Sequence, residues 1–325
     1  MLEPICEEIL RRQRFLLTSH ARPDGDSIGS QMAMAFALDK LGKQVRIVNA
    51  DAAPDHYHEF PGLDRIEIAS HADADADAVI VMECSDLTRT GVTGFEGRYI
   101  INIDHHAGNR MYGALNWFDE SAAACGEMVF DLIRALGVPM SLEIATHIYL
   151  AILTDTGSFH HSNITPRTFD ICRQTVEAGV NPAAMARRVF DSNSFGKLKL
   201  IGALLDAMEL IDDGRLAVMY MDEAMLTSCG CTHNDTEGVI NLPLTAREIQ
   251  AVVFFKVGAA GDVRVSMRSK YDVDVRMVAN AFGGGGHKNA AGFTVTGRLE
   301  EVRPQIIERI VAAIAQGLET RPERV

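Results

Sequence analysis

Apolar residues in this chain fall into short unbroken runs and longer spaced patterns. Phe15-Leu16-Leu17-Thr18-Ser19, Val45-Arg46-Ile47-Val48, Ala78-Val79-Ile80-Val81-Met82 and Tyr99-Ile100-Ile101-Asn102-Ile103 are runs of the first kind. Runs this short, rich in β-branched residues and closed by polar positions, predict buried strands. The spaced patterns predict helices over residues 1–12, 121–137, 141–153, 165–178 and 182–190. Another runs from about Ser27 to Leu41, with Ile28, Met32, Ala35, Phe36 and Leu41 on or near one face. Asp26 takes its N-cap position and Gly42 ends it. Strands alternating with helices give an α/β fold with a mostly parallel sheet flanked by helices.

The pattern changes after residue 190. A polar stretch, Asp191-Ser192-Asn193-Ser194, precedes a helix predicted from Leu198 to Ile211, and Asp212-Asp213-Gly214 then turns the chain. Strands follow at Leu216-Ala217-Val218-Met219-Tyr220, at 251–257 and at 263–268, the last with clean alternation. A helix over 273–281, a glycine run and a helix over 300–317 complete the pattern. The expected organisation is a first domain over 1–190, a connector helix over 191–211 and a smaller α/β domain over 212–325. The alternation His71-Ala72-Asp73-Ala74-Asp75-Ala76-Asp77 reads as a solvated loop.

Composition narrows the function more than the fold. The 325 residues are 47% hydrophobic, enough for two ordinary cores. No apolar run reaches the roughly 20 residues of a membrane span, and Met1-Leu2-Glu3-Pro4 does not open a signal peptide. Six cysteines follow no disulfide or zinc-finger spacing, and a reducing cytoplasm is the expected compartment. A net charge of −13 argues against unspecific binding to long duplex nucleic acid. It leaves a phosphate substrate open, because bound cations reverse the field of a carboxylate cluster.

Four acidic clusters stand where such cations would bind. His20, Asp24 and Asp26 share one strand-to-helix turn, with Pro23 and Gly25 between them. Glu83 ends an apolar strand, where a buried carboxylate is costly without a partner. Asp104-His105-His106 ends the next strand, and Asp155 follows the apolar segment 148–154. Sites in parallel sheets lie beyond the carboxyl ends of the strands, which is where these residues fall. Mixed imidazole and carboxylate ligands suit manganese, iron or zinc better than calcium or magnesium. Further on, Gly283-Gly284-Gly285-Gly286-His287 offers backbone N–H groups to an anion, and Arg268 with Ser269 ends a strand nearby in the fold pattern.

In this order, the motifs resemble those of the DHH phosphoesterase superfamily, in particular its stand-alone nanoRNase and pAp phosphatase group. The resemblance rests on His20-Ala21-Arg22-Pro23-Asp24-Gly25-Asp26, Asp104-His105-His106, Leu153-Thr154-Asp155-Thr156-Gly157 and Gly283 to Gly292, and spans nearly the whole chain. It implies two divalent cations, most often manganese. His20, Asp24 and Glu83 would hold one; Asp26, Glu83, His105 and Asp155 the other. The family usually has Asp where Glu83 stands. Asp86 is therefore a substitute candidate, although Arg89 keeps the spacing expected from Glu83. By the same resemblance His106, Arg89 and Asp104 belong to the catalytic group. Arg268, Ser269, Gly283, Gly284, Gly285, Gly286 and His287 belong to the substrate-binding group. The implied substrates are short oligonucleotides and 3′-phosphoadenosine 5′-phosphate (pAp), acted on by a cytoplasmic enzyme, as a homodimer, with no membrane partner. A cyclic-di-AMP or linear dinucleotide phosphodiesterase is the nearest rival. A non-catalytic nucleotide sensor is the rival of another class, and the complete ligand set argues against it.

Overall fold

The buried runs form a parallel sheet. In chain order the elements are α1 (Leu2–Arg11), β1 (Arg14–Thr18), α2 (Gly25–Lys40), β2 (Gln44–Asn49), β3 (Ile66–Ile68), β4 (Ala78–Met82), β5 (Ile100–Asp104), β6 (Leu115–Phe118), α3 (Cys125–Ala135), α4 (Leu142–Asp155), α5 (Pro166–Glu177) and α6 (Pro182–Phe190). The structure is a computed structural model and describes residues 2–73, 75–191, 193–236, 238–258, 262–296 and 298–319. Ala74 and Ser192, within two of the stretches read above, lie outside these residues. The chain divides into two units, Met1–Ser192 and Asn193–Val325.

In the first unit the strand order is β3-β2-β1-β4-β5-β6, with every neighbouring pair parallel. The chain runs outward from β1 to β3, returns to β4 beside β1, and then runs outward the other way. The carboxyl ends of β1 and β4 therefore frame the point where strand order reverses, which is where such sheets bind ligands. Alternate side chains divide between two cores, as strand geometry requires. Phe15, Leu17, Ile80, Met82, Ile101 and Ile103 join the large core with α2, α3 and α4. Leu16, Val79 and Val81 join a smaller cluster under Val92 and Phe95.

Close helix packing sets the site. A Cβ on Gly25 would lie 2.4 Å from Thr154, and one on Gly29 would lie 2.5 Å from the His147 carbonyl. With glycine at these two positions, the start of α2 lies against the end of α4. That brings the Asp26 region to Asp155.

One local expectation is corrected and two details are added. The N-cap of α2 is Asp24, not Asp26: its backbone is extended and its Oδ1 accepts from Ser27 N–H at 2.9 Å. Gly25 and Asp26 are already helical, so the helix starts earlier than the apolar pattern. β3 and β6 have no counterpart in the sequence pattern, because three- and four-residue strands that are half exposed leave little trace. In the loop read as solvated, Asp73 and Asp75 are exposed, and its end is also fastened: Asp75 and Asp77 both pair with Arg14, and Asp77 accepts from the N–H groups of Gln13 and Arg14.

The second unit contains α7 (Phe195–Asp206), β7 (Glu209–Ile211), β8 (Leu216–Met221), α8 (Glu223–Cys229), β9 (Ala251–Val257), β10 (Asp262–Ser269), α9 (Val275–Ala281), β11 (Gly285–His287), β12 (Ala290–Thr296) and α10 (Leu299–Glu319). Its sheet order is β11-β12-β10-β9-β8-β7, with only β8 and β9 parallel among neighbours. Leu216, Val253 and Val265 face one core with Ile306 and Ile310 of α10. Ala217, Met219 and Phe254 face another with Leu200 and Leu204 of α7. The helix expected to reach Ile211 ends at Asp206. Residues 209–211 are instead a strand paired with β8, joined to it by a turn in which Asp212, Asp213 and Gly214 all have positive φ.

The glycine run also departs from expectation. Part of it is β11, an edge strand hairpinned to β12. A Cβ on Gly284 would lie 2.3 Å from the Gly292 carbonyl, and one on Gly286 would lie 2.4 Å from the Ala290 carbonyl. Glycine is required there by close strand approach, before any anion is considered.

Candidate metal centre

Adjacent strand ends bring the acidic clusters together. His20 and Asp24 follow β1, Asp26 lies in the first turn of α2, Glu83 follows β4, Asp104 ends β5 with His105 and His106 behind it, and Asp155 ends α4. Glu83 turns the chain with a left-handed backbone, φ 58°. A bulky residue holds that conformation at a cost that its surroundings must offset. Arg22, Met111, Ser158 and Phe159, in the loops beside the other ligands, are also left-handed.

One oxygen each from Asp26, Glu83 and Asp155 and a ring nitrogen of His105 lie within 4.8 Å of one another. His105 Nε2 is 3.8 Å from Asp26, 3.4 Å from Glu83 and 3.5 Å from Asp155. Its other nitrogen, Nδ1, lies 3.0 Å from the Ala122 carbonyl. Donation to that carbonyl leaves the Nε2 lone pair aimed at the carboxylates, the tautomer a metal needs. Glu83 belongs to a second group with His105 and His106. His20 and Asp24 stand outside both groups as a pair of their own, His20 Nε2 lying 3.6 Å from Asp24 Oδ2.

Glu83 is 1% exposed and neither carboxylate oxygen has a hydrogen-bond partner. A buried carboxylate left in that state costs several kcal/mol. Burial, then the nearby Asp26, pushes its pKa well up. Burial and then Asp155 raise Asp26 as well. Asp155 is raised by burial, with His105 pulling the other way. Burial opposes the charge on His105, yet Glu83, Asp26 and Asp155 together drive its pKa far up. A proton is the weaker solution to this excess of negative charge. A divalent cation would replace it and restore full ionisation, so the residues fit a divalent metal.

Several supporting groups were not legible as such. Asp26 accepts from the N–H groups of Cys125 at 2.6 Å and Gly126 at 3.0 Å, closing the N-terminus of α3, whose own N-cap is Ala124. The signal is a helix that starts on Ala-Cys-Gly with no capping side chain. Asn109 donates to Asp104 at 2.6 Å, a contact that only the fold reveals. Asp86, the substitute ligand candidate, is engaged elsewhere: it accepts from Thr88 and pairs with Arg110 at 2.8 Å. Exposed Arg89 donates to Ser85 Oγ, while its carbonyl accepts from Ala21 N–H at 2.7 Å and ties the first motif to the segment after β4.

In the second unit, Arg268 on β10 and His287 on β11 both stand opposite Ala290 of β12. Nineteen positions apart in sequence, they form one row across three strands. Ser269 Oγ is turned inward, donating to the Val273 carbonyl at 2.7 Å. Asn289 braces the same turn, with Nδ2 bonded to Ser269 Oγ and the carbonyls of Tyr271 and Val273. Burial lowers the pKa of Arg268.

Comparison with known proteins fits this arrangement. The N-terminal domain of the DHH family matches residues 14–152, and the DHHA1 domain matches residues 213–316. A curated relative from Thermus thermophilus, named bifunctional oligoribonuclease and PAP phosphatase NrnA, is 32% identical over 93% of this chain and 89% of its own. The chain belongs to the DHH family. As a DHH-family phosphoesterase it is a hydrolase. A crystal structure of an exopolyphosphatase-related protein from Bacteroides fragilis superposes with a TM-score of 0.89 at 25% identity, over 96% of this chain and 95% of that one. RecJ of Thermus thermophilus, solved in complex with Mn2+, shares the fold at TM-score 0.55 and 14% identity, over 100% of this chain and 55% of that one. Among the described residues, no helix is long and apolar enough to cross a membrane.

Proposed function

We propose that this DHH-family hydrolase cleaves very short oligoribonucleotides and pAp to nucleoside monophosphates, using two divalent cations, manganese by preference. One observation carries the reading: the match to a relative named for both activities runs through both units. The convergence of Asp26, Glu83, His105 and Asp155 supports it. Asp26, Glu83, His105 and Asp155 would hold one cation. His20 and Asp24, with Glu83 as bridge, would hold the other. The cations supply Lewis acidity toward the phosphoryl oxygens and make a water acidic enough to attack at neutral pH.

The chain's own residues do the rest. Ala122 fixes the His105 tautomer, and α3 fixes the Asp26 carboxylate. His106 and Arg89 would meet the negative charge on the phosphoryl oxygens as the bond to the leaving ribose oxygen breaks. Arg268 and the segment Gly283–His287 hold the far phosphate or base of the substrate, while Ser269, turned inward to Val273 and Asn289, only shapes the turn beside them. That division of labour makes Met1–Ser192 the catalytic part and Asn193–Val325 the recognition part. The six cysteines are all free, as suits cytoplasmic residence.

The test is one panel. Purified protein with manganese is offered a ribodinucleotide, pAp, cyclic-di-AMP and pyrophosphate in parallel. Hydrolysis of the first two, abolished by chelation and restored by manganese, is expected. Turnover of cyclic-di-AMP or pyrophosphate ahead of both would overturn the substrate assignment. Full activity after verified metal removal would overturn the use of cations.

A further inference from the structure

A chain of amides, half-buried at Asn109 and Asn116 and fully buried at Asn102, runs from His106 into the sheet. His106 Nδ1 lies 3.0 Å from Asp104 Oδ1 and 3.2 Å from Glu83 Oε1. Asp104 is fully buried, and its second oxygen, Oδ2, accepts from Asn109 Nδ2 at 2.6 Å. Asn109 Oδ1 accepts in turn from Met111 N–H and from Asn102 Nδ2, both at 2.8 Å. Asn102, buried on β5, also reaches Asn116 Oδ1 at 3.2 Å, and that oxygen accepts from Gly113 N–H. The orientation of the Asn109 amide is set by chemistry. Met111 N–H can only donate, so Oδ1 must face it and Nδ2 must face Asp104.

We infer that Asn109 is a positioning residue for His106, acting through Asp104. By occupying Oδ2 with a charge-assisted bond it commits Oδ1 to His106 Nδ1. Nδ1 is thereby a proton donor. It is unsuited to ligate a cation, although it stands within reach of the Glu83 and His105 group. Asn109 itself touches no reacting atom. A merely structural role is the competing account, because Asn109 also sits in the loop that follows His106. That loop has other fasteners: Arg110 N–H bonds the Ser85 carbonyl, Tyr112 Oη bonds the Cys84 carbonyl, and Arg110 pairs with Asp86. It should survive loss of the Asn109 side chain.

The proposal rests on the role given to His106 above, and a double-mutant cycle separates the two. Asn109→Ala, His106→Ala and the double variant are assayed with manganese and a ribodinucleotide, and bound metal is measured by elemental analysis. Asn109→Ala is expected to lower kcat about 10–100-fold, in the range of groups that orient a site residue. KM should stay within about threefold and metal content should not change. In the His106→Ala background the same change should cost no more than about twofold, because its partner is gone. Losses that multiply, or no loss from Asn109→Ala alone, would overturn the inference. If Asn109→Ala folds poorly, Asn109→Ser keeps an acceptor for Met111 N–H in the same turn while being too short to donate to Asp104, and the same cycle decides. His106→Ala turning over at the wild-type rate would unseat the role of His106 itself and so remove the premise.

Discussion

At the end of β4, Glu83 holds two buried oxygens without a hydrogen-bond partner among the described residues, His105 and His106 being the nearest ring nitrogens at 3.4 and 3.2 Å. At the end of β10, one amide, Asn289, donates to three acceptors around Ser269, Tyr271 and Val273, and Lys288 pairs with Asp272. The two regions treat their polar groups oppositely. The first is a set of like charges crowded together and short of positive charge. The second is internally satisfied, with its backbone already shaped. A region of the first kind gains stability when a ligand arrives, by relieving the destabilised charges. A region of the second kind has little strain to relieve and can only select what fits.

Variants that remove ligands should break this contrast most severely. Asp155→Ala and His105→Ala each take a ligand from the same group, and each is expected to lower kcat about 1,000-fold or more while the protein stays folded. Rates near wild type in folded, metal-analysed variants would show that this group is not where chemistry occurs.

Glu83→Gln sharpens the contrast, because function and stability should move in opposite directions. Activity is expected to fall about 100-fold. The metal-free protein should melt higher than the metal-free wild type, because the variant removes a buried group whose charge is disfavoured. Asp86→Asn, whose parent side chain is already engaged by Thr88 and Arg110, should keep activity within a few-fold. The reverse ranking in paired kcat and melting measurements would move the bridging role to Asp86.

In the second region the expected loss is smaller and of another kind. Arg268→Ala should raise KM for a ribodinucleotide about tenfold, with bound metal unchanged, as expected for a lost charge-assisted contact. Bis-nitrophenyl phosphate should be hurt less. Equal losses on both substrates, or loss of metal, would mean that the second region shapes the reaction centre as well.

The smallest effect concerns burial without crowding. His147 in α4 is fully buried, and burial lowers its pKa from 6.5 to about 4, with only the Pro61 carbonyl opposing. A histidine held neutral in the fold binds fewer protons than in the unfolded chain. The contribution of His147 to stability should therefore fall as pH drops from about 6.5 toward about 4, while the raised carboxylates of the metal centre act in the opposite direction in wild type and variant alike. Between about pH 7 and about pH 5.5 the wild type should lose about 1 kcal/mol relative to His147→Gln, read as the difference between their urea midpoints. No pH-dependent difference between the two would show that His147 stays solvated.

The sequence made the central strands plain because each is buried on both faces, so that Phe15–Thr18, Ala78–Met82 and Ile100–Ile103 are nearly continuous apolar runs. The ligand candidates were visible for the same reason, since a carboxylate or imidazole stands out at the end of such a run. β3, β6 and β7 were not visible, because each is short and partly exposed and is defined by its neighbour. Asn109 and Ala122 were hidden for a different reason. Their roles depend on a contact partner at another position, and one chain in isolation does not reveal which amide faces which acid. The glycine run was read as an anion cradle, but part of its composition answers to the tight β11–β12 hairpin.

Asp26 is as much a part of α3 as of α2. Its two oxygens close the first turn of a helix that begins about 100 residues later, and no side chain of that helix does so. Removing the carboxylate therefore takes away a ligand and unlatches a helix in one stroke. An Asp26→Ala enzyme that is inactive would report on both at once, and its silence would be ambiguous. Amide hydrogen exchange at Cys125 and Gly126 resolves the ambiguity, since these protons report the latch directly. It also follows that a cation arriving at Asp26 is felt along α3, which makes the beginning of that helix a natural place for a spectroscopic sensor of occupancy.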